Sequence, residues 1–125
     1  MKLHLNNTEQ INLIQSCDQS AQKFQLKIRE KLYCNSLILT PENLEVWDVN
    51  EVSEVSINDF QRLCEFEAEV IILGTGSTLV FPPQSITRPI IDKGIGLEVM
   101  DTPAACRTYN ILAADGRKPV VGLIL

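Results

Sequence analysis

The amino-acid sequence predicts an α/β domain, and features of the second half of the chain indicate it. Residues 70–73 form a continuous apolar run of the kind found in strands covered on both faces. The turn Gly74-Thr75-Gly76 ends this run, and helical and extended patterns alternate after it. Such alternation favours parallel strands joined by right-handed crossovers. We therefore expect a single α/β domain over residues 1–125, organised around a strand–turn–helix unit.

The first half of the chain is predicted to form antiparallel hairpins, because its apolar residues partly alternate and turn signals separate the runs. Thr40-Pro41-Glu42-Asn43 is the clearest of these turns. Leu44, Val46 and Trp47 do not share one face, which indicates a bulge or an edge position. The predicted strands are residues 10–17, 23–29, 32–39 and 44–49.

The second half is predicted to alternate helix and strand. Ser56, with Asp59 three residues later, is a capping signal for the first helix. Pro89 removes a backbone donor and is expected to kink or shorten the second helix, and Gly94 is its expected C-cap. Asp101-Thr102-Pro103 is a strong start for the third helix. The predicted helices are residues 56–66, 84–93 and 102–114, and the strands are residues 70–73, 97–100 and 119–125.

Composition and charge limit the class of protein. Hydrophobic residues make up 45% and charged residues 22% of the 125 residues, as in globular proteins, and the net charge is −5. A domain of this size needs no metal or disulfide for stability. The densest basic group is interpreted as a solvated face, because Glu30 interrupts it and nucleic-acid binding requires concentrated positive charge. That group is Lys23, Lys27, Arg29 and Lys31. We expect no nucleic-acid partner and no cofactor.

The sequence also predicts the cellular compartment of the protein. No stretch approaches the ~20 apolar residues that a membrane helix requires, so direct membrane insertion is not expected. Residues 1–7 lack the apolar core of a secretory signal and the pattern of a transit peptide, which predicts a cytoplasmic protein. The cysteines, without any C-x-x-C pair, are interpreted as reduced structural thiols, and the last three lie in apolar surroundings that predict burial. They are Cys17, Cys34, Cys64 and Cys106.

The Gly74-Thr75-Gly76 turn does not match a nucleotide-binding loop. The third glycine of G-x-G-x-x-G would fall at Leu79, and no helix begins promptly after it. A P-loop pattern is also missing from the sequence. We interpret these glycines as residues that permit positive φ at a tight exit from a buried strand.

Two predicted strand ends carry residues that would suit a ligand, since ligands of open parallel sheets bind at the carboxyl ends of strands. Residues 74–77 are small and offer backbone N–H groups, and residues 101–105 begin a helix. An anion would bind there through amides and the helix dipole, unless Asp101 already caps those amides. Packing of the two loops is the alternative. The candidate ligand-binding residues are Gly74, Thr75, Gly76, Ser77, Asp101, Thr102 and Cys106.

A catalytic set cannot be assembled from the sequence. Cys106 lies where a helix dipole favours a thiolate, but a nucleophile needs a base. The only histidine, His4, is interpreted as a surface residue. Glu98 and Asp101 would form an acid–base pair only if both were desolvated. We assign no catalytic residue and no metal ligand.

Several segments resemble the small Mth-type family of unknown function, which includes the adipogenesis-associated Mth-domain-containing protein and a mitochondrial complex I assembly factor. These segments are residues 70–76, 94–102 (GIGLEVMDT), 104–112 (AACRTYNIL) and 116–117, with weaker similarity over 36–41 and at Trp47. The resemblance implies a compact three-layer α/β domain with a mixed, partly parallel central sheet and an antiparallel hairpin layer. It brings no catalytic residues.

Two functional hypotheses follow. The first is a non-catalytic protein-interaction or assembly module with an unidentified protein partner, which the missing catalytic set and the resemblance favour. The alternative is a small-molecule or anion binder, or a modest enzyme, that uses a cleft between residues 74–77 and 101–105. The oligomeric state is not predicted by either hypothesis.

Overall fold

The structure is a computed structural model that describes residues 11–125. The prediction for His4 and the start of the first predicted strand therefore lie outside the described residues. Strands and helices alternate in the second half of the chain, as expected. The elements are β1 (Ile14–Ser20), β2 (Lys23–Ile28), β3 (Lys31–Tyr33), β4 (Leu37–Leu39), β5 (Leu44–Val46), α1 (Ile57–Cys64), β6 (Val70–Gly74), α2 (Gln84–Asp92), β7 (Gly96–Met100), α3 (Thr102–Ala114) and β8 (Pro119–Leu123).

The strands form two sheets. The larger sheet has five strands in the order β5-β4-β8-β6-β7, and the smaller has three strands in the order β1-β2-β3. In the larger sheet β6 is parallel to both β7 and β8, whereas β4 is antiparallel to β8 and β5. All pairs of the smaller sheet are antiparallel. The mixed central sheet and the hairpin layer are therefore confirmed.

The central sheet buries both of its faces, and this produces three layers. Ile71 and Leu73 of β6 belong to a core that also contains residues of α1 and α2. Ile72, between them, points to the opposite core, which contains residues of α3 and of the small sheet. Successive residues of a strand face opposite sides, so a strand between two cores must be apolar throughout. Burial on both faces therefore explains why residues 70–73 are all apolar.

Trp47 fixes the position of α1 on the central sheet. Its side chain is buried, and its indole N–H donates to a carboxylate oxygen of Asp59 at 3.2 Å. A Cβ atom at Gly122 of β8 would lie only 2.8 Å from Cζ3 of Trp47. Gly122 is thus required by the close approach of the indole ring to the strand.

The small sheet is attached to α3 through its first strand. The Tyr109 hydroxyl donates to the backbone oxygen of Asn12 at 2.7 Å. The side-chain amide of Asn110 accepts from the Ile14 N–H and donates to the Ile14 carbonyl, both at 2.8 Å. These buried and half-buried bonds join residues nearly a hundred positions apart, which sequence patterns do not show.

The local helix signals are mostly confirmed. Ser56 and Asp59 form the predicted capping box of α1, and Asp101 caps α3. Gly94 follows α2 with φ +71°, the conformation that favours glycine after a helix. Pro89 does not end α2, which continues to Asp92. The carbonyl that loses its donor belongs to Ser85, an exposed residue in the first turn of α2.

Four predictions for the first half are wrong in detail. The first strand, predicted to end at Cys17, begins at Ile14 and continues to Ser20. Residues 32–39 form two strands, β3 and β4, because the chain crosses from the small sheet to the central sheet between them. The strand predicted over 44–49 ends at Val46. Cys34 is exposed rather than buried, since it lies in that crossing just after an edge strand of three residues. Cys64 and Cys106 are buried as predicted.

Candidate functional site

The two predicted loops lie side by side at one end of the sheet. β6 and β7 are parallel neighbours, and Gly74 pairs with Met100 at the carboxyl ends of both strands. The Thr75 N–H donates to the Met100 oxygen, and the Thr102 N–H donates to the Gly76 oxygen, each at 2.9 Å. The structure therefore brings residues 74–77 together with residues 101–105.

Thr102 lies at the centre of this junction. Its hydroxyl accepts from the Gly76 N–H at 2.8 Å and donates to the Ile124 oxygen at 2.7 Å. The side chain is fully buried, with 0% of its surface exposed. The Ile124 N–H in turn donates to the Gly74 oxygen at 2.9 Å. One hydroxyl thus joins the ends of β6, α3 and β8, with its donor and one of its two acceptor positions used within the protein.

The small residues of the junction allow close packing of helix against strand. A Cβ atom at Gly74 would lie 3.0 Å from Cβ of Ala105 and 3.0 Å from Cδ2 of Leu123. Such distances are shorter than ordinary contacts, so any larger side chain at Gly74 would push α3 away from the sheet. The space between these three residues is occupied by protein atoms.

Asp101 uses its carboxylate for the helix. Its Oδ1 atom accepts from the Ala104 N–H at 2.9 Å, as an N-cap does. This bond occupies one of the free amides that an anion would otherwise contact. Ser77 is exposed beside the junction. Ligand binding by these residues stays a prediction.

Cys106 faces the core rather than the solvent. It is buried, and its thiol lies within hydrogen-bonding reach of the half-buried Cys17 thiol of β1. Burial, followed by the proximity of Cys17, raises the pKa of Cys106 far above its ordinary value. Burial also raises the pKa of Cys17. Since the thiolate is the nucleophilic form, this environment disfavours a reactive cysteine.

The loop that follows Gly76 presents three consecutive apolar side chains to solvent. Leu79, Val80 and Phe81 are 51%, 43% and 69% exposed. The buried hydroxyl of Thr75 donates to the Thr78 oxygen at 2.6 Å and accepts from the Val80 N–H at 3.3 Å. The loop is therefore held by its own bonds with its apolar side chains outward.

Sequence reasoning missed this loop, although a signal was present. Leu79-Val80-Phe81 is an apolar run that belongs to no predicted strand or helix, and Pro82-Pro83 follows it. The run shows that these side chains belong to no predicted helix or strand face, but it does not show their exposure, since Trp47 and Val49 also lie outside any element and are buried. We call residues Leu79, Val80 and Phe81 the apolar loop.

Two surface cavities lie away from the junction. One, of about 380 Å³, is lined by residues that include Thr40, Phe66 and Arg117. The other, of about 420 Å³, is lined by residues that include Lys23, Phe24 and Leu125. Neither lining contains a residue of the two loops.

Within residues 11–125, no group of three or more His, Cys, Asp or Glu side chains is placed to hold a metal ion. The same part of the chain contains no helix long and apolar enough to cross a membrane.

Comparison with known proteins establishes the family. Residues 15–124 match the model of a family described as protein of unknown function, DUF498/DUF598. The chain belongs to this family. The predicted resemblance is thereby confirmed, because curated relatives include complex I assembly factors and the fold is shared with a structure described as a Mth938-like domain.

Two curated relatives of this DUF498/DUF598 protein carry different names. The zebrafish (Danio rerio) NADH dehydrogenase [ubiquinone] 1 alpha subcomplex assembly factor 3 is 34% identical over 89 residues, 70% of this chain and 51% of the relative. A 13 kDa major membrane protein of Francisella tularensis is 30% identical over 97 residues, 76% of this chain and 77% of that protein. The chain thus spans about half the length of the zebrafish protein.

Solved structures support the fold. A crystal structure of a Bordetella parapertussis protein matches with a TM-score of 0.79 and 29% identity, covering 90% of this chain and 94% of that one. A Bordetella pertussis protein described as a Mth938-like domain matches with a TM-score of 0.75 and 24% identity, covering 90% and 84%. The second likeness concerns the fold alone.

Proposed function

We propose that this protein is a non-catalytic interaction module that holds a partner protein during the assembly of a larger complex. The observation that carries the proposal is the apolar loop, an exposed run of three apolar side chains held in place by Thr75. Exposed apolar groups that a protein keeps ordered are typical of interaction sites. Because the loop is already ordered, binding would cost little further conformational entropy.

The names of the relatives support the same proposal. Several family members are called assembly factors of a respiratory complex. The thiols at Cys17 and Cys106 are in environments that disfavour reactivity, which agrees with a module that carries out no chemistry. Among the apolar-loop residues, Phe81 is the expected anchor, since aromatic side chains dominate the energetics of interfaces.

The proposal is tested by comparing two substitutions of equal exposure. Phe81→Ser removes the anchor, and Ile111→Ser removes an apolar side chain that is also 69% exposed but lies on α3. Tagged proteins are expressed in cells of the source organism, and co-purified proteins are quantified by mass spectrometry. We expect Phe81→Ser to reduce recovery of a specific partner about tenfold or more, and Ile111→Ser to leave it unchanged. Equal recovery with both variants, or no specific partner with the unmodified protein, would contradict the proposal.

The alternative function, binding of a small molecule or anion, has one observation in its favour. Residues 74–77 and 101–105 adjoin at the carboxyl ends of β6 and β7, where ligands of parallel sheets bind. Inorganic phosphate is a suitable first probe in thermal-shift measurements, with Thr75→Val and Thr102→Val as variants. This alternative requires a ligand response that the variants reduce, and a change in stability without one would count against it.

We also propose a cytoplasmic location. The described cysteines are all free, as suits a reducing compartment. Cell fractionation with detection of the endogenous protein tests this, and recovery with extracellular or periplasmic markers would overturn it.

A further inference from the structure

The outer edge of β7 is free within the described part of the chain. β7 ends the five-stranded sheet and pairs only with β6 there. The Met100 oxygen accepts from the Thr75 N–H on the β6 side. Since the backbone groups of alternate strand residues point the same way, those of Leu97 and Val99 point away from β6. The edge thus offers N–H and C=O groups to a further strand.

The other sheet edges are protected, whereas β7 is not. β3 and β5 have only three residues each. β1 has a register shift between Ile14 and Ser16, and the Asn110 side chain occupies both backbone groups of Ile14. β7 keeps an unbroken register over five pairs with β6 and contains no proline, lysine or arginine. Apart from the single charge of Glu98, it lacks the devices by which proteins usually prevent edge pairing.

The side chains of β7 indicate what would pair with it. Leu97 and Val99 are half-buried beside the core under α1 and α2, so they present apolar surface at that face of the edge. Glu98 is exposed on the opposite face, and it forms no ion pair with any residue in the range 11–125. A strand laid along this edge would place one side chain opposite Glu98 and apolar side chains before and after it.

We propose that β7 binds an extended segment of a partner protein as a sixth strand, with a lysine or arginine of that segment opposite Glu98 and apolar residues on either side. The backbone of Leu97 and Val99 supplies the hydrogen bonds, as in recognition by strand addition. Glu98 supplies the charge preference, because opposite charges stabilise cross-strand pairs and like charges destabilise them.

A second copy of this chain is a poorer occupant. Antiparallel pairing of two β7 strands about a twofold axis at their centre would place Glu98 directly opposite its own copy. Two carboxylates in that arrangement repel each other. The inference does not depend on the apolar loop, so it and the proposed function can fail separately.

The test uses the full-length protein, labelled with ¹⁵N, and two short capped peptides of alternating valine and threonine. One peptide has lysine at its centre, and the other has glutamate. We expect the lysine peptide to bind about fivefold more tightly and to protect the Leu97 and Val99 amides from hydrogen exchange. Glu98→Lys should reverse the preference between the peptides.

Val99→Pro is the second variant, because it removes one outward N–H group without removing a bond to β6. It should abolish binding of both peptides while the melting curve stays cooperative, as expected for proline at an edge strand. If this variant does not fold, the reversal by Glu98→Lys decides alone. An unchanged peptide preference in Glu98→Lys, or shifts confined to the apolar loop, overturns the proposal. Protection of both amides in the free protein together with a dimeric mass overturns it in favour of self-pairing.

Discussion

At the scale of single residues, Thr102 shows how one hydroxyl orders a whole junction. It is fully buried and bonds both the Gly76 N–H and the Ile124 oxygen. Thr102→Val keeps the shape but leaves both groups without a partner, which costs about 1–3 kcal/mol of unfolding free energy. Urea denaturation measures this. The control Thr78→Val, at an exposed side chain, is expected to stay within about 0.5 kcal/mol of the unmodified protein.

Glycine residues provide a second prediction at this scale. Gly122→Ala places a methyl group 2.8 Å from Cζ3 of Trp47, so the indole ring or the strand must shift. We expect a loss of about 1–3 kcal/mol, as for other overpacked cores. Gly96→Ala is the matched control, since its nearest neighbour outside the adjoining chain would be Cγ2 of Val70 at 3.8 Å. An equal effect of the two substitutions in urea denaturation would contradict the packing argument.

At the scale of secondary-structure elements, the start of α3 rests on its cap. Asp101→Ala removes the acceptor for the Ala104 N–H and should destabilise the protein by about 1 kcal/mol. Asp115→Ala removes the same charge just beyond the other end of α3, where a carboxylate interacts unfavourably with the helix dipole. That control is expected to be neutral or slightly stabilising. Thermal unfolding of the two variants side by side distinguishes the cap from a simple change in net charge.

At the scale of the whole molecule, Tyr109, which attaches the small sheet to α3, is expected to make the protein less stable at alkaline pH. Burial raises the pKa of Tyr109 well above its ordinary value, and Cys106 shifts in the same direction. A raised folded-state pKa means that stability is fully present below the unfolded-state pKa and is lost as pH rises toward the folded one. We expect the unfolding midpoint to decline above about pH 9, where unfolded cysteine and then tyrosine ionise.

Tyr109→Phe separates the two contributions. It should cost about 1 kcal/mol at neutral pH, because the Asn12 carbonyl loses a donor. It should also make the alkaline decline shallower, since only the cysteines with a raised pKa, Cys17, Cys64 and Cys106, then contribute to it. Unfolding midpoints measured from about pH 7 to pH 11 give both quantities. An identical alkaline decline in the variant and the unmodified protein would show that Tyr109 does not cause it.

Local patterns were sufficient for the elements that depend on near neighbours. The caps at Ser56 and Asp101 bond residues three positions away, so the sequence determines them directly. The apolar run of β6 predicts a strand between two cores in the same local way. A strand that is buried on both faces has consecutive apolar residues. Partial alternation and turn signals predicted the antiparallel hairpins, and the family resemblance added that they form a separate layer.

The tertiary structure alone decided which groups of the candidate site bond to one another and which surfaces stay exposed. The sequence placed Thr102 and Gly76 in two loops, but only the pairing of β6 with β7 brought them together. Exposure of Phe81 and of Cys34 depends on what packs over them, and no pattern of neighbours contains that information. Contacts between residues far apart in the chain determine these features. Local propensities determined the strands and helices, and long-range packing determined which of their groups remain available to a partner.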